Sequence, residues 1–325
     1  MTRTELDDVL AGRRLVVSVS GGKDSTACCL HLMDLGYGPE DYDRIFFDTG
    51  WEHEFLYEYV ENDLPAVVGP VTRLAAQIDL KDELIPIAEK FEKMLGVPYS
   101  SMVRLCLKKG MFPSRVKRWC TQGLKVYPAR DYLLEREGQV VNVVGIRAQE
   151  SSARSMMVEW EHSGTFKCDT WRPLIDWSEE DVIGIHQRHG VRPCRLYLEQ
   201  GSSRVGCYPC IFARKAELRA MSDFATDRIA VLAELEDVLS EMRIKRYAER
   251  GETTDHPRCS WFSNPRSKPD PATGIRPGGY FPIEKVIEWA RTSRGGSVDQ
   301  IELFTDPTGH QGCVRWGMCD TGSDG

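Results

Sequence analysis

Short apolar runs and segments of helical periodicity alternate along the first 190 residues. The apolar runs have the length and β-branched content of buried strands, and they fall at residues 14–20, 44–50 and 139–146. Segments with apolar residues at helical spacing fall at residues 24–36, 82–95 and 178–190. Strands that alternate with helices predict an α/β fold, a mainly parallel sheet with helices on both faces.

Local signals refine these elements. A weaker apolar run at 65–71 predicts a further strand. Pro86 is expected to delay or kink its helix, because proline lacks the backbone N–H that a helix interior needs. Ser178 has the residue type of an N-cap, acids follow in the first turn, and Gly190 indicates the end of that helix.

The pattern changes after about residue 190. Strand-like runs fade, cysteines gather, and residues 224–250 predict one long helix or two short ones. Residues 263–280 are rich in Pro, Gly and Ser and indicate a loop or linker, which a short helix at 282–293 follows. We therefore predict a first domain at residues 1–190 and a smaller, mostly helical, cysteine-containing C-terminal domain at residues 191–325.

Composition narrows the class of protein. Hydrophobic residues make up 41% of the chain and charged residues 28%, which predicts a packed soluble fold. No apolar run approaches the roughly 20 residues needed to span a bilayer, and the N-terminus lacks the apolar segment of a signal peptide. We therefore expect a cytoplasmic protein without a membrane partner. The net charge of −7 argues against non-specific coating of nucleic acid but leaves room for a local basic groove.

The turn between the first strand and the first long helix has the composition of a phosphate-binding loop. Its sequence is SGGKDS, at residues 20–25. Glycines let backbone amides approach phosphate oxygens closely, the helix N-terminus adds partial positive charge, and Lys23 adds a full charge. A Walker A loop needs four residues between its glycine and its Gly-Lys pair, so this is a different phosphate cradle. An ordinary glycine turn beside a surface lysine is the alternative.

The SGGKDS loop resembles the pyrophosphate loop of the ATP pyrophosphatase superfamily, whose members adenylate a substrate and release pyrophosphate. Two further segments, FFDTGWEHEFLYEYV (46–60) and GIRAQESSARS (145–155), resemble the phosphoadenosine phosphosulfate (PAPS) reductase-like branch of that superfamily. The resemblance covers about residues 10–215. It implies a Rossmann-like sheet of the adenine nucleotide alpha hydrolase type, with ATP and Mg²⁺ bound across the strand edges.

The resemblance also implies site residues. The expected catalytic residues are Lys23, Asp24 and Arg147. The expected nucleotide-binding residues are Ser20, Gly21, Gly22, Lys23, Asp24, Ser25, Asp48, Thr49, Gly50, Gly145 and Arg154. Arg147 and Arg154 carry forked donors that suit phosphate or sulfate oxygens. Taken alone, Asp48 is typical of a turn and residues 145–155 of a solvated Arg/Glu turn.

The chain contains 11 cysteines, which is many for a reducing compartment, where metal ligation is commoner than a structural disulfide. Cys207-x-x-Cys210 is typical of half a metal site, with a redox pair or a chance spacing as the alternatives. Cys120 and Cys194 are the candidates to complete a metal site. The rivals for the fourth position are Cys259, Cys313 and Cys319. Four thiolates suit a [4Fe–4S] cluster or structural zinc.

A family resemblance favours iron–sulfur. The segment around Cys120 resembles one in iron–sulfur sulfonucleotide reductases that carries a Cys-Cys pair shortly before a lysine, although only one cysteine stands here. Cys28 and Cys29 are expected in the core, and Cys106 and Cys168 are expected to be structural. Cys313 and Cys319 suit a mobile thiol pair, metal ligands or inert positions.

Residues 104–130 contain eight Lys or Arg and no acid, in contrast to the acidic chain as a whole. This bias predicts a positively charged mouth that receives a sulfonucleotide or a nucleic-acid backbone. Trp119 and Tyr127 are candidates to stack on a base. A solvated helix and loop face is the alternative.

Three functions follow from these features. The first is an ATP-dependent adenylating enzyme that passes sulfur to an anionic acceptor, with nucleic acid as one option and a cysteine desulfurase as one sulfur donor. Its nearest type is the iron–sulfur sulfurtransferases of DNA phosphorothioation. The second is a sulfonucleotide reductase, which the complete SGGKDS loop and the lack of a Glu-Cys-Gly-x-His ending both weaken. The third is a non-catalytic nucleotide-binding subunit. The sequence leaves the oligomeric state open.

Overall fold

The computed structural model describes residues 1–254, 257–264, 271, 279–292 and 316. Its strands are β1 Arg14–Val19, β2 Tyr42–Asp48, β3 Thr72–Ala75, β4 Val140–Val144, β5 Trp160–Ser163 and β6 Cys168–Trp171. They form one sheet in the order β3-β2-β1-β4-β6-β5, in which only the β5–β6 pair is antiparallel. The predicted α/β class with a mainly parallel sheet is confirmed.

Helices connect and cover the strands. The described α-helices are α1 Arg3–Leu10, α2 Lys23–Asp34, α3 Glu54–Glu58, α4 Leu64–Val68, α5 Ile85–Leu95, α6 Ser101–Lys109, α7 Trp119–Thr121, α8 Tyr127–Leu134, α9 Glu179–Arg188, α10 Arg195–Glu199, α11 Lys215–Phe224, α12 Thr226–Glu249 and α13 Ile283–Ala290. Short π-helical turns occupy Tyr59–Asp63 and Gln122–Val126, and 3₁₀ turns occupy Asp82–Leu84 and Ala148–Glu150.

Most predicted elements agree with the structure. Pro86 stands in the first turn of α5 after a 3₁₀ turn, as a delayed helix start requires. Ser178 caps α9 in a capping box with Asp181. Residues 224–250 form one helix, α12, rather than two. The predicted linker at 263–280 lies mostly outside the described residues.

The strand predicted at 65–71 is wrong. These residues begin in helix α4, which continues the helical path of α3 through a π-helical turn. Pro65 stands in the first turn of α4, where its fixed φ favours a helix, and Gly69 ends it with a φ of +89°. The strand starts only at Thr72 and pairs with β2.

The buried residues form two large hydrophobic cores. One packs α1, α2 and α9 against the strands through residues such as Leu30 and Val141. The other joins Phe91 and Leu124 to Leu232 and Val286 of the C-terminal helices. The domain boundary near residue 190 therefore stays a prediction, since this second core contains residues from both sides of it. Buried Cys28, Cys29, Cys106 and Cys168 lie in the cores, as expected.

The end of β4 passes directly against the first turn of α2. A Cβ atom on Gly145 would lie 2.6 Å from the carbonyl oxygen of Asp24 and 2.9 Å from the Cα atom of Ser25. Both obstacles are backbone atoms, which cannot rotate away as a flexible side chain can. Glycine at this position therefore brings the β4 edge and the phosphate loop together.

A buried carboxylate anchors the C-terminal helices. Glu236 of α12 is 1% exposed, and its two oxygens accept backbone N–H bonds from Trp261 at 2.8 Å and from Ile283 at 3.0 Å. Burial raises the pKa of Glu236 to about 7. The residue therefore ties α12 to the segments before and at the start of α13.

We expect Gly145→Ala to lower the free energy of unfolding by about 1–3 kcal/mol, as overpacking against fixed backbone does. Gly164→Ala is the matched control, because a Cβ atom at Gly164 meets nothing within 4 Å. The control should change stability by less than about 0.5 kcal/mol. Urea unfolding of both variants measures the difference, and equal losses would contradict the close approach described above.

Glu236 predicts a pH dependence of stability. The pKa of this carboxyl is about 7 in the folded state and near 4.5 in the unfolded state, so the folded state holds the proton to higher pH. The stabilisation is complete below about pH 4.5 and is lost as the pH rises through about 7. Relative to Glu236→Gln, the free energy of unfolding of the wild type should fall by up to about 3 kcal/mol between pH 4.5 and 8. A difference between the two proteins that does not change with pH would argue against this origin.

Candidate functional site

The phosphate loop, residues 20–25, joins β1 to α2. Gly21 has a φ of +70° and its α-carbon faces α3, where a Cβ atom would lie 2.3 Å from the Leu56 side chain. The Ser25 hydroxyl accepts the backbone N–H of Ser20 at 3.1 Å and donates to the carbonyl of Gly22 at 3.0 Å. Gly22 is the N-cap of α2 and offers no side-chain cap, so the positive end of the helix faces the cavity.

Carboxylates hold the cations that face this loop. The Lys23 ammonium lies 3.4 Å from Asp24 and 3.4 Å from Glu179, and its side chain is 9% exposed. Arg147, at the end of β4, donates to Asp24 at 2.5 Å. Arg154 forms an ion pair with Glu150. The cations predicted to bind phosphate therefore lie in a preformed network of opposite charges.

Two buried side chains contact the backbone of the phosphate loop at Lys23. His186 of α9 places its Nε2 atom 3.1 Å from the carbonyl of Lys23, and the Tyr197 hydroxyl accepts the N–H of Lys23 at 3.2 Å. Burial lowers the pKa of His186 and raises that of Tyr197, so both stay uncharged near pH 7. The ring of Trp316 packs against both.

The three residues of the predicted Asp48-Thr49-Gly50 motif have different structural roles. The Asp48 carboxylate accepts bonds from the Gly50 amide at 2.8 Å, the Tyr57 hydroxyl at 2.9 Å and Arg73 at 2.8 Å. It therefore holds the turn instead of facing the cavity. Thr49 lines the cavity. Gly50 has a φ of +64° and lies so close to Ser100 that a Cβ atom would be 2.3 Å from its Cα atom.

The turn after β2 is joined to the cysteine loop, residues 207–210. Glu52 and Cys207 form an isolated antiparallel bridge, and the N–H of Tyr208 donates to the carbonyl of Trp51 at 2.9 Å. The Trp51 indole in turn donates to the carbonyl of Pro209 at 3.2 Å. The turn after β2 and the Cys-x-x-Cys pair are therefore held together by main-chain hydrogen bonds and by the Trp51 indole.

Three of the four predicted metal ligands meet in one cavity. Cys120, Cys207 and Cys210 line it together with the phosphate loop. Nearby Cys207 raises the pKa of Lys125, which lines the same cavity and keeps its positive charge. Burial raises the pKa of Cys207 to about 12. Three cysteines and Lys125 therefore line the same cavity.

Cys194, the fourth predicted ligand, lies apart from the three cysteines that line the cavity. Cys194 is fully buried in the core that covers the sheet, and its thiol points to the carbonyl of Phe55 at 3.6 Å. It does not line the cavity. Cys259 is also buried, with its thiol against the carbonyl of Leu239, and Cys313 and Cys319 lie outside the described residues. No three described His, Cys, Asp or Glu side chains are close enough to share one metal ion.

The cavity has a volume of about 850 Å³. The predicted site residues that line it are Ser20, Gly22, Lys23, Asp24, Ser25, Thr49, Cys120, Gly145, Arg147, Arg154, Cys207 and Cys210. Gly21, Asp48, Gly50 and Cys194 are not among its lining residues. Its lining contains seven Lys or Arg and four Asp or Glu, so it is positively charged in an acidic chain.

Sequence reasoning missed several lining residues. The sequence indicated Glu179 only as an acidic residue in the first turn of a helix. Tyr197 belongs to no motif that the sequence analysis identified. Lys125 and Arg118 belong to the basic segment at 104–130, of which only a part faces the cavity: Arg104 pairs with Glu92 instead. No local pattern distinguishes these residues, because the fold brings them to the site from separate elements.

None of the described helices is both long and apolar enough to cross a membrane. The family model of the phosphoadenosine phosphosulfate reductase domain matches residues 77–213, which include the Gly145–Arg154 segment and the Cys-x-x-Cys pair. The phosphate loop precedes the matched residues.

Similar proteins extend this match. An uncharacterised 37.8 kDa protein of Escherichia phage 186 is 33% identical over 337 residues, 94% of this chain and 96% of that protein. An uncharacterised protein of Methanocaldococcus jannaschii is 27% identical over 62% of this chain and 42% of its own length. An adenosine 5′-phosphosulfate reductase of Allochromatium vinosum is 32% identical over 91 residues, 28% of this chain and 34% of that enzyme.

Among solved structures, the PAPS reductase of Candida auris in a phosphate complex aligns with a TM-score of 0.46 and 17% identity, over 65% of this chain and 90% of that one. The family model covers the motif at 145–154, and the motifs at 20–25 and 48–50 lie at the ends of β1 and β2 in the same sheet. Residues 77–213 therefore belong to the family of phosphoadenosine phosphosulfate reductase domains.

Proposed function

We propose that the protein is an ATP-dependent adenylating enzyme that splits ATP into AMP and pyrophosphate and transfers sulfur to an anionic acceptor. One observation carries the proposal: five of the six residues of the SGGKDS loop line the same cavity as three cysteines. A nucleotide activated at the loop would therefore lie in the same enclosure as a sulfur-binding group. The family assignment supports nucleotide binding and sulfur chemistry in general.

The phosphate loop supplies the first step. An acceptor oxygen attacks the α-phosphorus of ATP, the bond from that phosphorus to the bridging oxygen breaks, and pyrophosphate leaves with the electron pair. Lys23 and the amides at the start of α2 stabilise the charge that develops on the pyrophosphate. Asp24 and phosphate oxygens are ligands of the kind that Mg²⁺ prefers, and Asp24 faces the cavity beside Lys23.

The second step exchanges oxygen for sulfur. A hydrosulfide ion attacks the atom that carries the adenylated oxygen, the new bond to sulfur forms, and AMP leaves with the electron pair. A sulfur donor of the cysteine desulfurase type, together with a thiol reductant, would supply the hydrosulfide. Arg147 and Lys125 face the cavity and would stabilise the leaving AMP and the incoming anion.

The three thiols suit a [4Fe–4S] cluster better than a zinc ion. Zinc needs its ligands around one centre, whereas the irons of a cluster occupy separate corners and take thiolates that stand farther apart. Cys120, Cys207 and Cys210 line one cavity, and no three described His, Cys, Asp or Glu side chains are close enough to share one metal ion. When bound, a cluster would supply iron that holds sulfur near the activated acceptor. Lys125 would partly balance the charge of the thiolates.

A sulfonucleotide reductase is the second candidate. The PAPS reductase domain match and the local identity to an adenosine 5′-phosphosulfate reductase favour it. In that reaction the loop would hold the nucleotide, ATP would stay intact, and sulfite would be released. A non-catalytic nucleotide-binding subunit would show neither reaction.

Release of pyrophosphate from Mg²⁺–ATP tests the proposed first step. We expect Lys23→Ala to lower the rate by about 100-fold or more, because a charge that stabilises the leaving group is lost. Lys93→Ala, at an exposed lysine of α5, is the matched control and should leave the rate unchanged. Sulfite release from PAPS or adenosine phosphosulfate with a thiol reductant, without pyrophosphate release from ATP, would instead identify the second candidate.

Iron and acid-labile sulfide after anaerobic purification test the proposed ligands. We expect Cys120→Ser, Cys207→Ser and Cys210→Ser each to lose most of the iron, since each removes a thiolate that faces the cavity. Cys194→Ser is the internal control and should retain it, because Cys194 lies in the core. Equal loss of iron in Cys194→Ser, or stoichiometric zinc without iron, would overturn the ligand set.

A further inference from the structure

Three arginines surround one aromatic ring at the mouth of the cavity. The guanidinium carbons of Arg115, Arg118 and Arg204 lie 5.7, 5.2 and 5.9 Å from the centre of the Phe212 ring. Arg118, Arg204 and Phe212 line the cavity. All three arginine side chains belong to exposed residues, so the group faces solvent at the entrance. We call Arg115, Arg118 and Arg204 the arginine triad.

The triad lacks the acids that balance the inner cations. In the part of the chain that the structure describes, no carboxylate forms an ion pair with any member of the triad, whereas Lys23, Arg147 and Arg154 each have one. The ring attracts each guanidinium, but three like charges gathered around one ring repel one another. An anion at this place would remove that repulsion.

We propose that the arginine triad is a second anion-binding site, which takes the phosphodiester groups of a single-stranded nucleic acid. The guanidinium fork matches phosphate oxygens in two-point contacts. Phe212 follows Cys210 by two residues, so a strand held by the triad passes beside the cysteine loop. The inference rests on the proposed function, for which it names the acceptor.

Exposed apolar side chains beside the cations favour a polymer over a free nucleotide. Val116, between Arg115 and Lys117, is 92% exposed, and Met156, two residues after Arg154, is 84% exposed. Unstacked bases pack on apolar and aromatic side chains while arginines hold the backbone. A nucleotide confined to the phosphate loop would leave both side chains in water. A single strand held by the triad would also meet Val116, the sequence neighbour of Arg115.

Fluorescence anisotropy with labelled single-stranded DNA and RNA of about 12 nucleotides tests the proposal. The test variant is the triple Arg115→Gln, Arg118→Gln, Arg204→Gln. The control is the triple Lys81→Gln, Lys93→Gln, Arg250→Gln, which removes the same charge from exposed positions elsewhere. We expect the test variant to bind at least about tenfold more weakly at low salt, with a slope of log K against log salt smaller by about 2.

Calorimetric titration with Mg²⁺–ATP measures nucleotide binding, so it tests the proposed function independently of oligonucleotide binding by the triad. The triad variant should bind Mg²⁺–ATP as the wild type does, because Lys23 and its loop are unchanged. Absence of ATP binding in the wild type would defeat the proposed function while the oligonucleotide result still stood. Loss of ATP affinity as large as the loss of oligonucleotide affinity would place the triad in the nucleotide site and overturn the inference.

Three other outcomes would also overturn it: no oligonucleotide binding by the wild type, equal losses in both triple variants, or equally tight binding of polyglutamate. The polyglutamate arm distinguishes phosphate recognition from simple attraction to negative charge. Thermal unfolding of both triple variants verifies that each is folded under the conditions of the titration.

Discussion

The contact between the turn after β2 and the cysteine loop defines the working geometry of the protein. Glu52 pairs with Cys207, and Trp51 exchanges hydrogen bonds with Tyr208 and Pro209. Trp51 is fully buried and stacks on Trp261 at 5.0 Å, so the contact is anchored in the second core. The phosphate loop belongs to the sheet and the Cys-x-x-Cys pair belongs to a later segment. This contact is what places them around one cavity, and the proposed coupling of nucleotide activation to sulfur transfer depends on it.

Charge in the cavity is arranged in two levels. Near the phosphate loop, Asp24, Glu150 and Glu179 engage Lys23, Arg147 and Arg154. This network holds the cations in place before any nucleotide binds, which lowers the reorganisation that binding requires. At the entrance, the arginine triad has no such partners among the described residues, and its charge is available to attract an anion from solvent. The inner level suits a bound triphosphate with its metal ion, and the outer level suits a polyanion that arrives and leaves.

Local sequence sufficed for the phosphate loop because strand, turn and helix are contiguous and their hydrogen bonds join residues at most a few positions apart. The segment at 145–154 follows a strand in the same way. The residues that support the loop could not be predicted, because they are distant from it in sequence. His186 and Tyr197 contact Lys23 from more than 160 positions away, and nothing in their own neighbourhoods indicates it. Asp48 was expected to bind the nucleotide, but its carboxylate accepts hydrogen bonds from Tyr57 and Arg73.

The sequence by itself determined the α/β class, the strand-to-helix turn at SGGKDS and the Cys-x-x-Cys pair, since each depends on periodicity or spacing within a short segment. Only the tertiary structure decided which of the other predicted ligands lines the same cavity as that pair. Cys120 faces the cavity, whereas Cys194 packs in the core although it lies nearer to Cys207 in sequence. It also decided that the apolar run at 65–71 begins in a helix and that Arg115, Arg118 and Arg204 meet at one ring. The physical reason is that packing between distant elements, rather than sequence proximity, sets which side chains share a surface.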